Sequence, residues 1–200
     1  MVLGTASGSF DIGVMSERDR EHWDRKWDDY GPVADVNPML LEHRRLLGRG
    51  VALDVACGLG QNAIWLARHD FVVLGVDISR VALRRAHLMV RAAGLARRAC
   101  FAQVDLDHWS PAPATVDVIC VFRFLDRSLI PALRDALNPG GLIFYATRHV
   151  GVLRRQPEAN PDFLLKRGEL PGLFAGWELL VSAEGAEDAS IIARKPRQGC

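Results

Sequence analysis

Lysine is scarce in this 200-residue chain: Lys26, Lys166 and Lys195 stand among 25 basic residues, the rest being arginine. Against 24 acidic residues the formal net charge is +1, so global charge points to neither nucleic acid nor an anionic membrane surface. Cysteine is equally sparse. Cys57, Cys100, Cys120 and Cys200 form no C-x-x-C pair and no framework spacing, which argues against a disulfide scaffold and fits free thiols in a reducing cytoplasm. No His or Cys pair has zinc-ligand spacing, so no metal is expected. No apolar run approaches the roughly 18 residues of a membrane span, and no basic patch with an apolar run behind it opens the chain. Repeats and low-complexity segments are missing too. One domain of this length can bury a core unaided; it is expected over residues 15–200, with the glycine- and serine-rich residues 1–14 as a disordered extension.

What is present centres on Val51 to Asp77, VALDVACGLGQNAIWLARHDFVVLGVD. Val51 to Ala56 is a nearly continuous apolar run interrupted by Asp54, as a strand buried on both faces requires. Gly58 and Gly60 break it. Gln61 to His69 has helical spacing, and Phe71 to Val76 is again apolar strand, which completes a βαβ unit. The bare backbone at Gly58 and Gly60 lets a ligand approach beside the positive end of the following helix. Gly58, Gly60 and Ala63 also fit G-x-G-x-x-A, with Asp77 about 20 residues on, as in dinucleotide sites. Asp54 separates the two readings: a carboxylate at this strand end disfavours a bound pyrophosphate and favours a cationic ligand.

The remaining chain alternates helices and strands. Ser16 opens a helix that places Trp23 and Trp27 four apart on one face, with Tyr30 at its end. These aromatics either dock the helix on the domain or form a lid. Asn37-Pro38 starts a helix over Met39 to Leu47, and Ser79 starts one that stops at Gly94. Strands are expected at 99–104, 116–122 and 142–147, with a helix over 126–137 and a turn at Asn138 to Gly141. A long polar loop follows Thr147; Pro171 interrupts a short helix over 168–174, and strands at 178–183 and 189–193 close the chain. The fold class is therefore α/β: a Rossmann-like, seven-stranded, mostly parallel sheet with helices on both faces, its last strand antiparallel, and an N-terminal lid helix.

D-x-x-x-G-x-G followed by an acidic residue closing the next strand resembles the class I S-adenosylmethionine (SAM)-dependent methyltransferases. Phe163 to Leu170, Phe174-Ala-Gly-Trp177 and Ala193-Arg-Lys195 look like the TehB-like and thiopurine-methyltransferase-like small-molecule group. The resemblance implies SAM as cofactor and S-adenosylhomocysteine as product. It puts Asp54 with Gly58 and Gly60 at the methionine end, Asp77 on the ribose, and Asp105 with Leu106 at the adenine; Ala56, Asn62, Ile78 and Phe122 complete the set. Trp23, Trp27, Tyr30, Phe124 and His149 are candidates for the lid and acceptor side, and Arg123 and Arg148 for orienting an anionic acceptor. Thiols and selenium or tellurium species are the acceptors such enzymes take. The sequence departs from the tellurite enzymes between its last two strands, where Glu184 to Asp188 is too short for their His- and Arg-bearing segment.

The expectation is a cytoplasmic enzyme, monomer or homodimer, with a small-molecule acceptor and neither nucleic acid nor membrane as partner. The alternatives are a non-catalytic SAM-binding regulatory protein and an NAD-dependent oxidoreductase.

Overall fold

A computed structural model describes residues 12–29, 31 and 35–197, with side chains from residue 17 onward. Its strands are β1 (Gly50–Val55), β2 (Phe71–Asp77), β3 (Ala99–Gln103), β4 (Val116–Phe122), β5 (Leu137–Arg148), β6 (Glu178–Glu184) and β7 (Asp188–Arg194). They form one sheet in the order β3-β2-β1-β4-β5-β7-β6. Strands β1 to β5 pair in parallel, while β7 runs antiparallel to both of its neighbours. The last strand is thus the reversed one, as the sequence predicts.

Among the described residues six α-helices, α1 (Ile12–Asp28), α2 (Pro38–Glu42), α3 (Gln61–Arg68), α4 (Arg80–Ala92), α5 (Ile130–Ala136) and α6 (Glu169–Leu173), accompany the sheet. The apolar run of β1 feeds both sheet faces. Ala52 joins a cluster with Leu40, Ala63, Leu66, Leu83 and Phe144, whereas Leu53 and Val55 join Ile119, Leu133, Ile143 and Phe174 on the other side. Two apolar layers sandwich the sheet, each fully buried aliphatic or aromatic side chain contributing about 1.5–3 kcal/mol. The open ends of the parallel strands are left to the loops, where ligands bind in such sheets.

Several boundaries differ from expectation for local reasons. Helix α1 begins at Ile12, inside the expected extension, rather than at Ser16. The helix at Asn37 ends at Glu42; His43 breaks it before a separate 3-10 turn over Arg44–Leu46. Helix α5 starts only at Ile130, because Asp126 Oδ1 accepts hydrogen bonds from the Ser128 amide at 2.8 Å and hydroxyl at 2.7 Å and fixes a turn first. Asn138 to Gly141 stays within β5 instead of reversing the chain, with the Gly140 amide donating to the Lys195 carbonyl at 3.0 Å. Pro171 lies in the first turn of α6, which it does not interrupt. Residues 1–11 and Tyr30 lie outside the described residues.

Candidate functional site

The glycine turn gathers most of the expected cofactor residues. Asp54 closes β1 with 1% exposure, and its Oδ2 accepts from the Ala63 amide in the first turn of α3 at 3.1 Å. Its carboxylate therefore lies under the turn at a helix N-terminus, not in the apolar interior. Burial nevertheless pushes it up to about 7, against the pull of the Ala63 hydrogen bond and with further repulsion from Asp77. Ala56 follows in the left-handed region at φ 52°. Asp77 Oδ2 accepts from the Gly58 amide at 2.8 Å and Oδ1 from the Ser79 amide at 2.9 Å, stitching the turn to the start of α4. Burial raises this carboxyl too. Ile78 accepts at its carbonyl from Gln103 Nε2 at 3.0 Å, and Asn62 Oδ1 accepts from the Asn37 amide at 2.9 Å, so Asn62 also anchors the approach to α2.

The two glycines serve different needs. A Cβ on Gly60 would come 2.6 Å from the Phe101 ring, so this position is bare for packing inside the domain. A Cβ on Gly58 would come 2.7 Å from Trp27 of α1, on the outer side. Gly58 is thus the glycine that faces helix α1.

Helix α1 is held by polar contacts as well. Asp24 Oδ1 accepts from the Ser79 hydroxyl at 2.6 Å and the Val81 amide at 3.1 Å, and Arg85 donates to the carbonyls of Trp27 and Gly31, both at 2.7 Å. Asp19, Trp23, Lys26 and Trp27, spaced i, i+4, i+7, i+8, share one helical face. The Lys26 ammonium lies 4.2 Å from the centre of the Trp23 ring. Burial lowers its proton affinity, and so do Arg123 and Arg148. Among the described residues none of these three cations forms an ion pair. Arg148 donates to Gln156 Oε1 at 2.6 Å. Arg123, at φ 59°, is exposed just past β4.

On the adenine side, Asp105 forms the turn after β3. Its Oδ1 accepts from the Asp107 amide at 3.1 Å and its Oδ2 pairs with His108 Nδ1 at 2.9 Å. Leu106 and Phe124 pack on one core layer and Phe122 on the other. Asp107 is raised by partial burial, then by Asp105, Asp126 and Asp19.

His149 is a correction. It is fully buried, Nδ1 accepting from the Gly151 amide at 2.8 Å and Nε2 facing the Gly185 carbonyl at 3.2 Å. The two nitrogens tie the long loop to the β6–β7 turn, so the ring is structural rather than acceptor-facing. That loop is tied down further by Arg127, which binds Glu169 at 2.6 and 2.9 Å and the carbonyls of Asp162 and Leu164.

A cleft of about 480 Å³ opens at the carboxyl ends of β5 and β6, roofed by α2 and bordered by Arg123. Met39, His43, Val181, Asp188 and Ala189 are among its walls. Another of about 520 Å³ runs along α4 beside edge strand β3, away from the strand ends that carry Asp54 and Arg123. Lys26, Asp24 and His43 were not singled out by the sequence; the i, i+4, i+7, i+8 register with Trp23 was the available signal for Lys26.

Residues 52–141 match the methyltransferase domain family. This is a class I SAM-dependent methyltransferase domain. The chain is 31% identical over 160 residues to a ubiquinone biosynthesis O-methyltransferase of Azoarcus sp. (strain BH72), covering 72% of this chain and 65% of that one, just under two thirds of its length. It is 24% identical to a thiopurine S-methyltransferase of Vibrio parahaemolyticus, over 81% and 84% of the two chains. The crystal structure of TehB from Haemophilus influenzae shares the fold at a TM-score of 0.69 and 16% identity, covering 88% of this chain and 66% of that one. SAM is the cofactor of such a domain, and the dinucleotide alternative falls with it. The residues fit a cationic group: Asp54 is a buried carboxylate in no described ion pair, and Gln61 Oε1 and Asp126 Oδ2 are buried acceptors without a partner among the described residues. A pyrophosphate would add negative charge beside Asp54 and Asp77.

Proposed function

We propose that this protein is a SAM-dependent methyltransferase whose acceptor is a small molecule carrying an acidic group. The observation that carries the acceptor class is the clustering of Lys26, Arg123 and Arg148, three cations without a described carboxylate partner, of which Arg123 borders an open cleft. Guanidinium forks suit carboxylates and other oxyanions, and a partly buried ammonium gains most from a counter-charge. The cleft has the size usual for small-molecule sites and mixed apolar and polar walls. Its openness supports turnover over a purely regulatory SAM-binding role.

When bound, SAM supplies an electrophilic methyl group on a sulfonium. The chain's own residues supply position. Asp54 and Asp77 put negative charge under the cofactor crevice, Trp23 and Trp27 exclude water from above, and the arginines orient the acceptor so that its nucleophile lies in line. Thiols and selenium or tellurium oxyanions remain within this class, as do hydroxy acids.

A methyl-transfer screen with labelled SAM over thiols, selenite, tellurite, hydroxybenzoates and amines tests the reading. Turnover confined to acidic acceptors, lost by roughly tenfold or more in Arg123→Ala and Arg148→Ala through KM, supports it. Equal turnover of neutral amines, or unchanged turnover in both variants, overturns the acceptor class. SAM binding without transfer to any acceptor would place the protein among regulators.

A further inference from the structure

Five of the six histidines in the chain have their rings engaged. His22 lies edge-on to Trp23 and His87 to Phe101, His69 stacks on Trp65 and bonds its carbonyl, His108 pairs with Asp105, and His149 is locked in its loop. His43 differs. Among the described residues its ring makes no hydrogen bond, ion pair or ring contact, and it lines the same cleft as Arg123. Its place follows from the backbone: α2 ends at Glu42, and His43 at φ −106°, ψ 21° caps it before the next 3-10 turn begins. Pro38, Met39 and Glu42 of α2 line the same cleft, so His43, four residues past Met39, continues that helical face.

An imidazole unspent on structure, half-buried in an acceptor cleft, is suited to moving a proton near neutral pH. The charged groups around it are Glu42 on α2, Arg44 and Arg45 on the following turn, Arg123 past β4 and Asp188 on β7. Glu42 and Asp188 are carboxylates on the cleft wall, and Arg123 lies on the side of β4.

We infer that His43 is the proton acceptor for the incoming nucleophile, so that the acceptor molecule reacts through a weakly acidic O–H or S–H group. This rests on the proposed methyltransferase function and deepens it. The O–H or S–H bond breaks, its proton passing to an imidazole nitrogen, and the freed lone pair forms the bond to the methyl carbon. The carbon–sulfur bond of the sulfonium breaks with its electrons going to sulfur, leaving a neutral thioether, a methylated acceptor and an imidazolium. One positive charge enters and one leaves.

The test compares the wild type with His43→Gln on two acceptors, a hydroxybenzoate and a nitrothiobenzoate whose thiol is already ionised at neutral pH. The variant should lose roughly 10²-fold or more in kcat on the hydroxybenzoate at neutral pH and recover as pH rises past the phenol's own ionisation. Its turnover of the thiolate should fall far less, and its thermal shift with SAM should match the wild type. Wild-type kcat and pH profile on the hydroxybenzoate in the variant would overturn the role, as would equal losses on both acceptors. If the wild type methylates the thiolate but not the hydroxybenzoate, the inference fails and the methyltransferase function stands; if it methylates neither, the function fails first.

Discussion

Trp27 lies directly over Gly58: a Cβ built on that glycine would come 2.7 Å from Trp27 Cζ2 and 2.9 Å from Cη2. The contact joins helix α1 to the glycine turn, at a backbone conformation, φ 52°, that side chains rarely adopt. Gly58→Ala should cost about 1–3 kcal/mol through strain and a displaced indole, and weaken SAM binding by roughly tenfold or more. Calorimetric titration of SAM into the variant checks this. Restored affinity in Gly58→Ala combined with Trp27→Ala would assign the loss to the clash; an affinity equal to wild type in the single variant would refute it.

Ala56, two residues earlier, also holds a left-handed backbone, at φ 52°, but with a methyl group attached. That conformation costs an L-residue roughly 1–2 kcal/mol, while glycine loses about 0.5–1 kcal/mol more chain entropy on folding. The balance favours glycine slightly. Ala56→Gly is expected to stabilise the ligand-free protein by about 0.5 kcal/mol and raise Tm by a few degrees or less, read by calorimetry. A lower Tm would show that the alanine methyl makes packing contacts worth more than the strain.

Much of this architecture was legible before any coordinates because its signals are local. Ser79 and Gly94 bound α4 as cap and stop, with Ser79 Oγ accepting from the Ala82 amide at 3.1 Å and Gly94 at φ 70°. The alternation of apolar runs set the sheet, and Asp54 and Asp77 come together at the glycine turn as the βαβ reading expects. Longer-range facts were hidden. Gly60 and Gly58 look equivalent in sequence, yet one makes room for Phe101 and the other for Trp27. His149 had a strand-end position suited to catalysis, but tying its loop to the β6–β7 turn spends both ring nitrogens. His43 shares a helical face with Met39, but the cleft this face borders is closed by β5 and the β6–β7 hairpin, which only long-range pairing brings there.

Asp24 links α1 to the fold by accepting from Ser79 Oγ at 2.6 Å and from the Val81 amide at 3.1 Å, the second being an otherwise free donor at the start of α4. Asp24→Ala should cost about 1 kcal/mol, as loss of a helix cap does, and loosen α1 selectively. Hydrogen exchange is the measurement that resolves this. Amides of residues 17–28 should lose protection while those of β1 and β4 keep theirs, and SAM affinity should fall. Unchanged protection in α1 would mean that Arg85, through Trp27 and Gly31, holds the helix alone.

Asp54 is expected to make cofactor binding depend on pH near neutrality, well above the range of an ordinary surface carboxylate. Its carboxyl moves from 3.8 to about 7 on folding, so the folded protein holds a proton that the unfolded chain has released between those values. The resulting destabilisation is absent below the unfolded value, grows as pH rises, and is complete above about 7, where it reaches at most about 4 kcal/mol. Asp54→Asn should therefore raise the ligand-free Tm at alkaline pH, with the gain fading as pH falls toward 4. Binding a cation demands the ionised form, so wild-type SAM affinity should decline below about pH 7 by up to roughly tenfold per unit, with proton release. The variant should bind weakly at every pH and show no such slope. Titrations in buffers of different ionisation enthalpy measure the proton count directly, and a wild-type affinity flat across neutrality would mean that the cation and this carboxylate do not interact.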